Sequence, residues 1–199
     1  MGHGLTSIVS IGYSIDNRKD AFAVKTIDKK KFSKNELDVL KREVFLLSTF
    51  SHRNIVSLIE SFDENVEMTL IFELMKGEDL FTRLSRRSYF DEWESRRYFK
   101  QMLNAVAYIH REKVAHRDIK PEQFLFSSHQ KDAVLKLSDF GFAKRCSKKK
   151  SSYNIETSCF RTMCGTPCYA SPEVLSGKKY GLKTDVWSLG KCYILIRII

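Results

Sequence analysis

The sequence predicts an α+β fold, with strands gathered in the first part of the chain and helices in the second. Three observations lead there. Runs of β-branched and aromatic residues cluster before residue 75, two capping boxes open helical periodicities, and the strand pattern gives way to a helix pattern near Met75–Gly77. The boundary divides the chain into residues 1–75 and residues 76–199. With 43% apolar and 12% aromatic residues among 199, there is material for a packed interior and little room for wholesale disorder. Three prolines and nine glycines exclude a collagen-like or linker-like chain.

Val9–Ile11 and Ala21–Ile27 read as strands separated by the polar turn Asp16–Asp20. Ser33 with Glu36 forms a capping box, after which Leu37, Leu40, Val44 and Leu47 recur on one helical face. Ile55–Phe62 and Met68–Phe72 read as two further strands around a turn at Asn65. A short amphipathic helix is expected between Gly77 and Phe90. Asp91 with Glu94 caps a long helix whose inner stripe is Phe99, Met102, Leu103, Val106 and Ile109. Beyond it the chain is mostly loop-like, interrupted by the hydrophobic strand Val134–Leu137, and there the distinctive residues concentrate.

Thirty-four Lys and Arg against 24 Asp and Glu give a net charge of +10, which favours an anionic partner. Charge alone supports nucleic acid, since no recognition motif or aromatic platform accompanies it, so none is expected. No apolar run approaches the ~18 residues that span a bilayer. The Cys192–Ile199 stretch is short and contains Arg197. Met1–Thr6 fits a myristoylation pattern, but Gly2 is wanted elsewhere, and no membrane partner is expected. The five cysteines are odd in number and form no C-x-x-C pair, which suggests reduced thiols in the cytoplasm, with the nucleus as the alternative suggested by Lys148–Lys150. A zinc site on Cys159, Cys164 and Cys168 lacks a fourth ligand at suitable spacing.

Four motifs occur in order: Ala21–Phe22–Ala23–Val24–Lys25, His116–Arg117–Asp118–Ile119–Lys120–Pro121–Glu122–Gln123, Asp139–Phe140–Gly141 and Ser171–Pro172–Glu173. Alone, Lys25 would be a solvated strand lysine and Glu43 an exposed helix carboxylate. Together the motifs resemble those of the eukaryotic protein kinases, across nearly the whole chain. The resemblance implies a two-lobed fold in which residues 1–75 form a β-rich nucleotide-binding lobe and residues 76–199 part of a helical catalytic lobe.

It also implies the chemistry. A triphosphate is a dense anion, so a fixed cation must hold it in line for attack; Lys25 resembles the lysine that grips the phosphates, and Glu43 its ion-pair partner. Asp139 resembles the aspartate that ligates Mg²⁺, and Asp118 the residue that orients the acceptor hydroxyl and takes its proton. Lys120 would stand beside the transferring phosphoryl group, with Thr166 hydrogen-bonding near Asp118, as in serine/threonine rather than tyrosine kinases. Gly2, Gly4, Ser7 and Val9 resemble part of a phosphate-binding glycine loop. Val9, Ala23 and Leu125 would sandwich adenine, Glu73–Met75 would form the hinge, Phe72 would guard the back of the pocket, and Asp79 would meet the ribose. Leu47, Leu58, His116 and Phe140 match a column that joins the lobes, and Asp185 would tie its helix to the catalytic loop.

The implied activity is transfer of the γ-phosphate of ATP, with Mg²⁺, to a Ser/Thr hydroxyl of a protein. Phe72–Leu80 and Cys164–Glu173 most resemble the calcium/calmodulin-dependent group, which suggests Arg/Lys-rich substrates read by Asp79 and Glu122. No calmodulin-binding tail or calcium-binding hand is present, so calmodulin is not an expected partner. Thr162 stands where the family often carries an activating phosphate, within reach of Arg117.

Two departures from the pattern qualify this. Gln123 replaces the asparagine that binds a second Mg²⁺; it keeps an amide oxygen and by resemblance would join Asp139 in holding the metal, but its extra methylene moves that oxygen by about 1 Å, which suggests reduced phosphotransfer. The chain also reads as truncated at both ends, leaving Glu173 without its partner arginine and Tyr193, Ile194, Leu195, Ile196, Ile198 and Ile199 as an exposed apolar surface. The rival reading is a catalytically impaired pseudokinase or scaffold that retains nucleotide.

Overall fold

A computed structural model of the chain describes residues 7–146 and 160–198, apart from the side chain of Ile198. Gly2 and Gly4, Cys159, and the lysine triplet Lys148–Lys150 lie outside the described residues. The first part is an antiparallel sheet of β1 (Ser7–Tyr13), β2 (Ala21–Asp28), β3 (Leu58–Asp63) and β4 (Glu67–Glu73), in the order β1-β2-β4-β3. Helix α1 (Lys34–Ser48) crosses over between β2 and β3.

Strand periodicity decides where Lys25 points. Val9 pairs with Lys25 and Lys25 with Leu70, while Ala23 pairs with Phe72 and Ile27 with Met68. Side chains alternate between faces along a strand, so Lys25 shares a face with Ala23, Ile27, Met68, Leu70 and Phe72. That face packs on α1, where Ile27, Met68 and Leu70 bury against Leu40 and Val44. The α1 capping box forms as the sequence requires, with Ser33 Oγ accepting from the Glu36 N–H and Glu36 Oε2 accepting from the Ser33 N–H at 2.7 Å. Such a cap contributes about 1 kcal/mol and fixes where the helix starts.

The expected strand Ile55–Phe62 begins only at Leu58. Ile55 instead makes a parallel bridge to Leu137, and the Val56 N–H donates to Leu137 O at 2.9 Å, so the segment is claimed by the second part of the molecule. The register then shifts between Leu58 and Glu60.

The second part contains α2 (Leu80–Arg87), α3 (Glu92–Arg111), β5 (Val114–Ala115), β6 (Phe124–Phe126), β7 (Leu135–Leu137), β8 (Lys144–Arg145), α4 (Pro172–Leu175) and α5 (Lys183–Ile198). Both capping interactions of α3 are present between Asp91 and Glu94. Its buried stripe runs through Tyr98, Met102, Ala105, Val106 and Ile109. Leu103 is 42% exposed, contrary to expectation, because it lies one residue around the helix from Met102 while Tyr98 and Ala105 complete the inner face.

Helix α5 packs on α3. Leu189, Cys192 and Ile196 are buried, Ser95 Oγ donates to Ile196 O at 3.1 Å, and Tyr193 lies against Phe99 with ring centroids 4.5 Å apart. The expected apolar surface is therefore smaller than the sequence suggested: Ile196 is core, Leu195 is partly buried, and Ile194 remains 54% exposed. Free thiols occur at Cys164, Cys168 and Cys192, whereas Cys146 is disulfide-bonded, which departs from the expectation that all five are reduced.

One apolar cluster joins the two parts, running from Leu46, Leu47 and Phe50 through Phe140 to Ile109, Leu135 and Leu137, with Leu58 packed against it. Phe140 lies 5.5 Å from the Phe50 ring and 4.9 Å from the His116 ring. The column of Leu47, Leu58, His116 and Phe140 is thus assembled.

The α3 stripe makes a prediction. Met102, fully buried, should cost about 2–5 kcal/mol of unfolding free energy when replaced by alanine, and Leu103→Ala about 0.5 kcal/mol or less. Denaturant unfolding of the two variants checks it, and equal losses would contradict the placement of the stripe.

Candidate active site

The segment His116–Gln123 leaves β5 and reaches β6 with only a single 3-10 turn at Pro121–Gln123, so its first residues need external anchors. Asp185, in the first turn of α5 and 1% exposed, supplies them. Its Oδ2 accepts from the His116 N–H at 2.9 Å and from His110 Nε2 at 2.8 Å, and its Oδ1 accepts from the Arg117 N–H at 2.9 Å. A buried carboxylate with three donors is satisfied, and it fixes two successive backbone groups. Arg117 takes a positive φ of 71°, which turns the chain so that Asp118 faces inward.

Asp118 is gripped on both oxygens. Oδ1 accepts from the Thr166 N–H and from Thr166 Oγ1, each at 2.7 Å. Oδ2 lies 3.2 Å from Lys120 Nζ and 3.3 Å from Gln123 Nε2. Burial pushes the Asp118 carboxyl up, but the Thr166 hydroxyl bond, the Lys120 charge and the Thr166 amide outweigh it and hold the group below the usual range. It is an anion at neutral pH. Lys120 Nζ also donates to Thr166 Oγ1 at 3.0 Å. Gly165 makes this approach available: its φ is 91°, and a Cβ there would overlap the carbonyl oxygen of Arg117.

Asp139 also stands at positive φ, 53°, while Phe140 drops into the core behind it. Asp139 Oδ2 accepts from the same Gln123 Nε2 at 3.3 Å, and Oδ1 lies 3.4 Å from the Gly141 N–H. Asp118 and Asp139 are therefore joined through one amide group.

Lys25 and Glu43 face this region from the sheet and from α1. Among the described residues they form no direct ion pair, which corrects the expected salt bridge; they interact at longer range. Burial without direct pairing pushes the Glu43 carboxyl up to about 7, against the lowering effect of Lys25 and with a further rise from Asp139. The proximity of Glu43 to both Lys25 and Asp139 places all three around one cleft.

The remaining expected residues divide. Val9 and Ala23 share the Lys25 face of the sheet, and Leu125 lies on β6 in the second part. Glu73 ends β4, and Met75 lies half-buried in the link that follows. Glu73 already has partners: its carboxylate takes Lys136 Nζ at 2.6 and 2.7 Å and the Ser57 N–H at 2.7 Å. Asp79 caps α2, with one oxygen accepting from the Thr82 N–H at 2.8 Å and the other from Thr82 Oγ1 at 2.7 Å. Thr162 is exposed, and its carbonyl accepts from Tyr180 Oη, which lies 3.4 Å from Arg117 Nη1.

Sequence reasoning missed three of these contacts: His110 on Asp185, Lys136 on Glu73, and the Gln123 nitrogen between two acids. Lys136 alone carried a signal, as the one polar residue between Leu135 and Leu137 in a strand of period two.

No cluster of three or more His, Cys, Asp or Glu suited to a metal exists among the described residues. The donor set fits a hard cation of the Mg²⁺ type, which keeps water and phosphate oxygens and needs only one or two carboxylates from protein. Asp139, whose Oδ1 has only the 3.4 Å approach of the Gly141 N–H, offers such a carboxylate.

A family whose description is Protein kinase domain matches residues 1–198. The chain is 38% identical over 200 aligned positions to calcium/calmodulin-dependent protein kinase type IV of Mus musculus, covering 98% of this chain and 39% of that protein. It is 37% identical to calcium-dependent protein kinase 5 of Plasmodium berghei, covering 88% of this chain and 30% of that protein. Identity to calcium/calmodulin-dependent protein kinase type 1 of Caenorhabditis briggsae is 36%, over 98% of this chain and 52% of that protein. The chain thus spans between about a third and a half of the length of these relatives.

The raised Glu43 predicts a pH dependence. An acid whose folded pKa lies above its unfolded value of 4.5 takes up protons on folding, so its contribution is largest at low pH and is lost as pH rises through about 7. Relative to a Glu43→Gln variant, the parent should lose melting temperature between pH 5 and pH 8; a constant difference would show that Glu43 titrates normally.

Proposed function

The chain belongs to the protein kinase family, and from that premise we propose that it transfers the γ-phosphoryl group of ATP to serine or threonine hydroxyls of protein substrates. The observation that carries the reading is the joining of Asp118 and Asp139 through one amide nitrogen, with Lys25 and Glu43 within electrostatic reach of Asp139. Phosphoryl transfer asks little covalent chemistry of a protein; it asks for in-line positioning and fixed charge.

Each side chain has a task suited to its surroundings. Asp118 Oδ1 takes both Thr166 bonds at 2.7 Å, so Oδ2, with only the longer Lys120 and Gln123 contacts at 3.2 and 3.3 Å, is the oxygen better placed to orient a substrate hydroxyl and accept its proton. Lys120, held beside both Asp118 and Thr166, adds positive charge where phosphoryl oxygens would gather. Lys25 supplies the cation on the sheet side, and Asp139 would hold Mg²⁺. The cation, when bound, neutralises phosphate charge. Val9, Ala23 and Leu125 would contact adenine, with Glu73–Met75 as the hinge. Gly2 and Gly4 would complete the phosphate loop. These intact acids and lysines favour an enzyme over a non-catalytic scaffold.

We extend the proposal to basic substrates. Asp79 is occupied by its cap, which leaves Glu122, exposed and close enough to Tyr169 to raise its hydroxyl pKa after burial has pushed it up, to read a substrate arginine. A phosphate on Thr162 would find Arg117 close by, since Tyr180 already touches both residues.

Two measurements test this. Labelled γ-phosphate should pass to an arginine-containing serine peptide, and Asp139→Asn should lower the rate about 10²-fold or more; equal rates in parent and variant would refute the assignment. Glu122→Gln should raise KM for that peptide about tenfold with kcat little changed, while an unchanged KM would remove Glu122 from substrate recognition.

A further inference from the structure

Gln123 has a role that its position among the catalytic residues does not require. It is buried, and its Nε2 lies 3.3 Å from Asp118 Oδ2 and 3.3 Å from Asp139 Oδ2. Ionised carboxylates are acceptor-only, so the amide can face both acids only through its nitrogen. The amide oxygen must then turn away from the space between them. A divalent cation seeking both Oδ2 atoms competes with these amide hydrogens, and could use Gln123 as a ligand only after the amide had reversed and given up both bonds.

The other carboxylate oxygens differ in availability. Asp118 Oδ1 is filled by two bonds from Thr166 at 2.7 Å. Asp139 Oδ1 has only the 3.4 Å approach of the Gly141 N–H. One oxygen of the pair is therefore free for a cation without disturbing Gln123.

We propose that Gln123 is a positioning residue that ties Asp118 to Asp139 through its amide nitrogen, and that this tie limits the site to one divalent cation, held through Asp139. The inference rests on the nucleotide-binding reading above and adds to it how many cations accompany the nucleotide. An asparagine, shorter by one methylene, does not span the two acids; it frees Asp139 Oδ2 and leaves Asp118 Oδ2 with Lys120 Nζ, 3.2 Å away, as its remaining partner. A glutamate replaces the two donors by an acceptor and invites a cation between three carboxylates.

The test counts Mn²⁺ bound by the full chain in the presence of a non-hydrolysable ATP analogue, by electron paramagnetic resonance of the free ion, with nucleotide binding followed separately by calorimetry. The parent should bind one Mn²⁺ with the nucleotide, and Gln123→Asn and Gln123→Glu should each bind two, with Gln123→Glu filling its second site at the lower concentration. Two Mn²⁺ in the parent would overturn the inference whatever the variants do. One in the parent and in both variants would also overturn it, since Gln123 would not be the limit. In either case, nucleotide binding by the parent would leave the kinase reading standing. Failure of the parent to bind the nucleotide analogue at any Mn²⁺ concentration would overturn both.

Discussion

The buried carboxylate of Asp185 is the constraint on which the site depends. The successive backbone N–H groups of His116 and Arg117 and the ring of His110 converge on it. A side chain taken this far from water is costly unless its lone pairs are filled, and filling them with main-chain donors turns that cost into geometry. With His116 and Arg117 pinned, the positive φ of Arg117 sets the direction of Asp118, and Thr166 reaches its oxygen across the gap that Gly165 leaves. The position of the Asp118 carboxylate therefore follows from a helix remote in sequence.

The second requirement is that two parts of the chain face each other in a fixed way. The apolar column through Leu47, Leu58, Phe140 and His116 does this without charge, and the Glu73–Lys136 pair adds a polar strut beside the link between the parts. Phe140 couples the two tasks. Its ring is core, and its neighbour Asp139 is therefore presented to the cleft by the same turn that buries it.

Much of this was legible in the sequence because it rests on local rules. The capping boxes at Ser33 and Asp91 fixed helix starts, and the β-branched run Ala21–Ile27 put Lys25 on a strand. The in-order motifs placed Asp118, Lys120 and Asp139 near one another. What escaped was settled by partners distant in sequence. Ile55 left its strand for Leu137, Leu103 lost the inner face to Tyr98 and Ala105, and Ile196 found cover on α3. The Glu43 salt bridge failed for a similar reason, since the distance between a strand lysine and a helix glutamate depends on how closely two elements pack. The direction of the Gln123 amide could not be read from residue type, because it depends on both acids being within reach.

The central claim is that Lys25 lines the same phosphate site as Asp118 and Asp139. An acyl-phosphate derivative of ATP, whose carbonyl is attacked by a lysine amine lying beside the phosphates, tests it directly when followed by peptide mass spectrometry. Acylation is expected at Lys25, with Lys120 as a second target, and excess Mg–ATP should protect both. Labelling scattered over surface lysines and indifferent to ATP would contradict it.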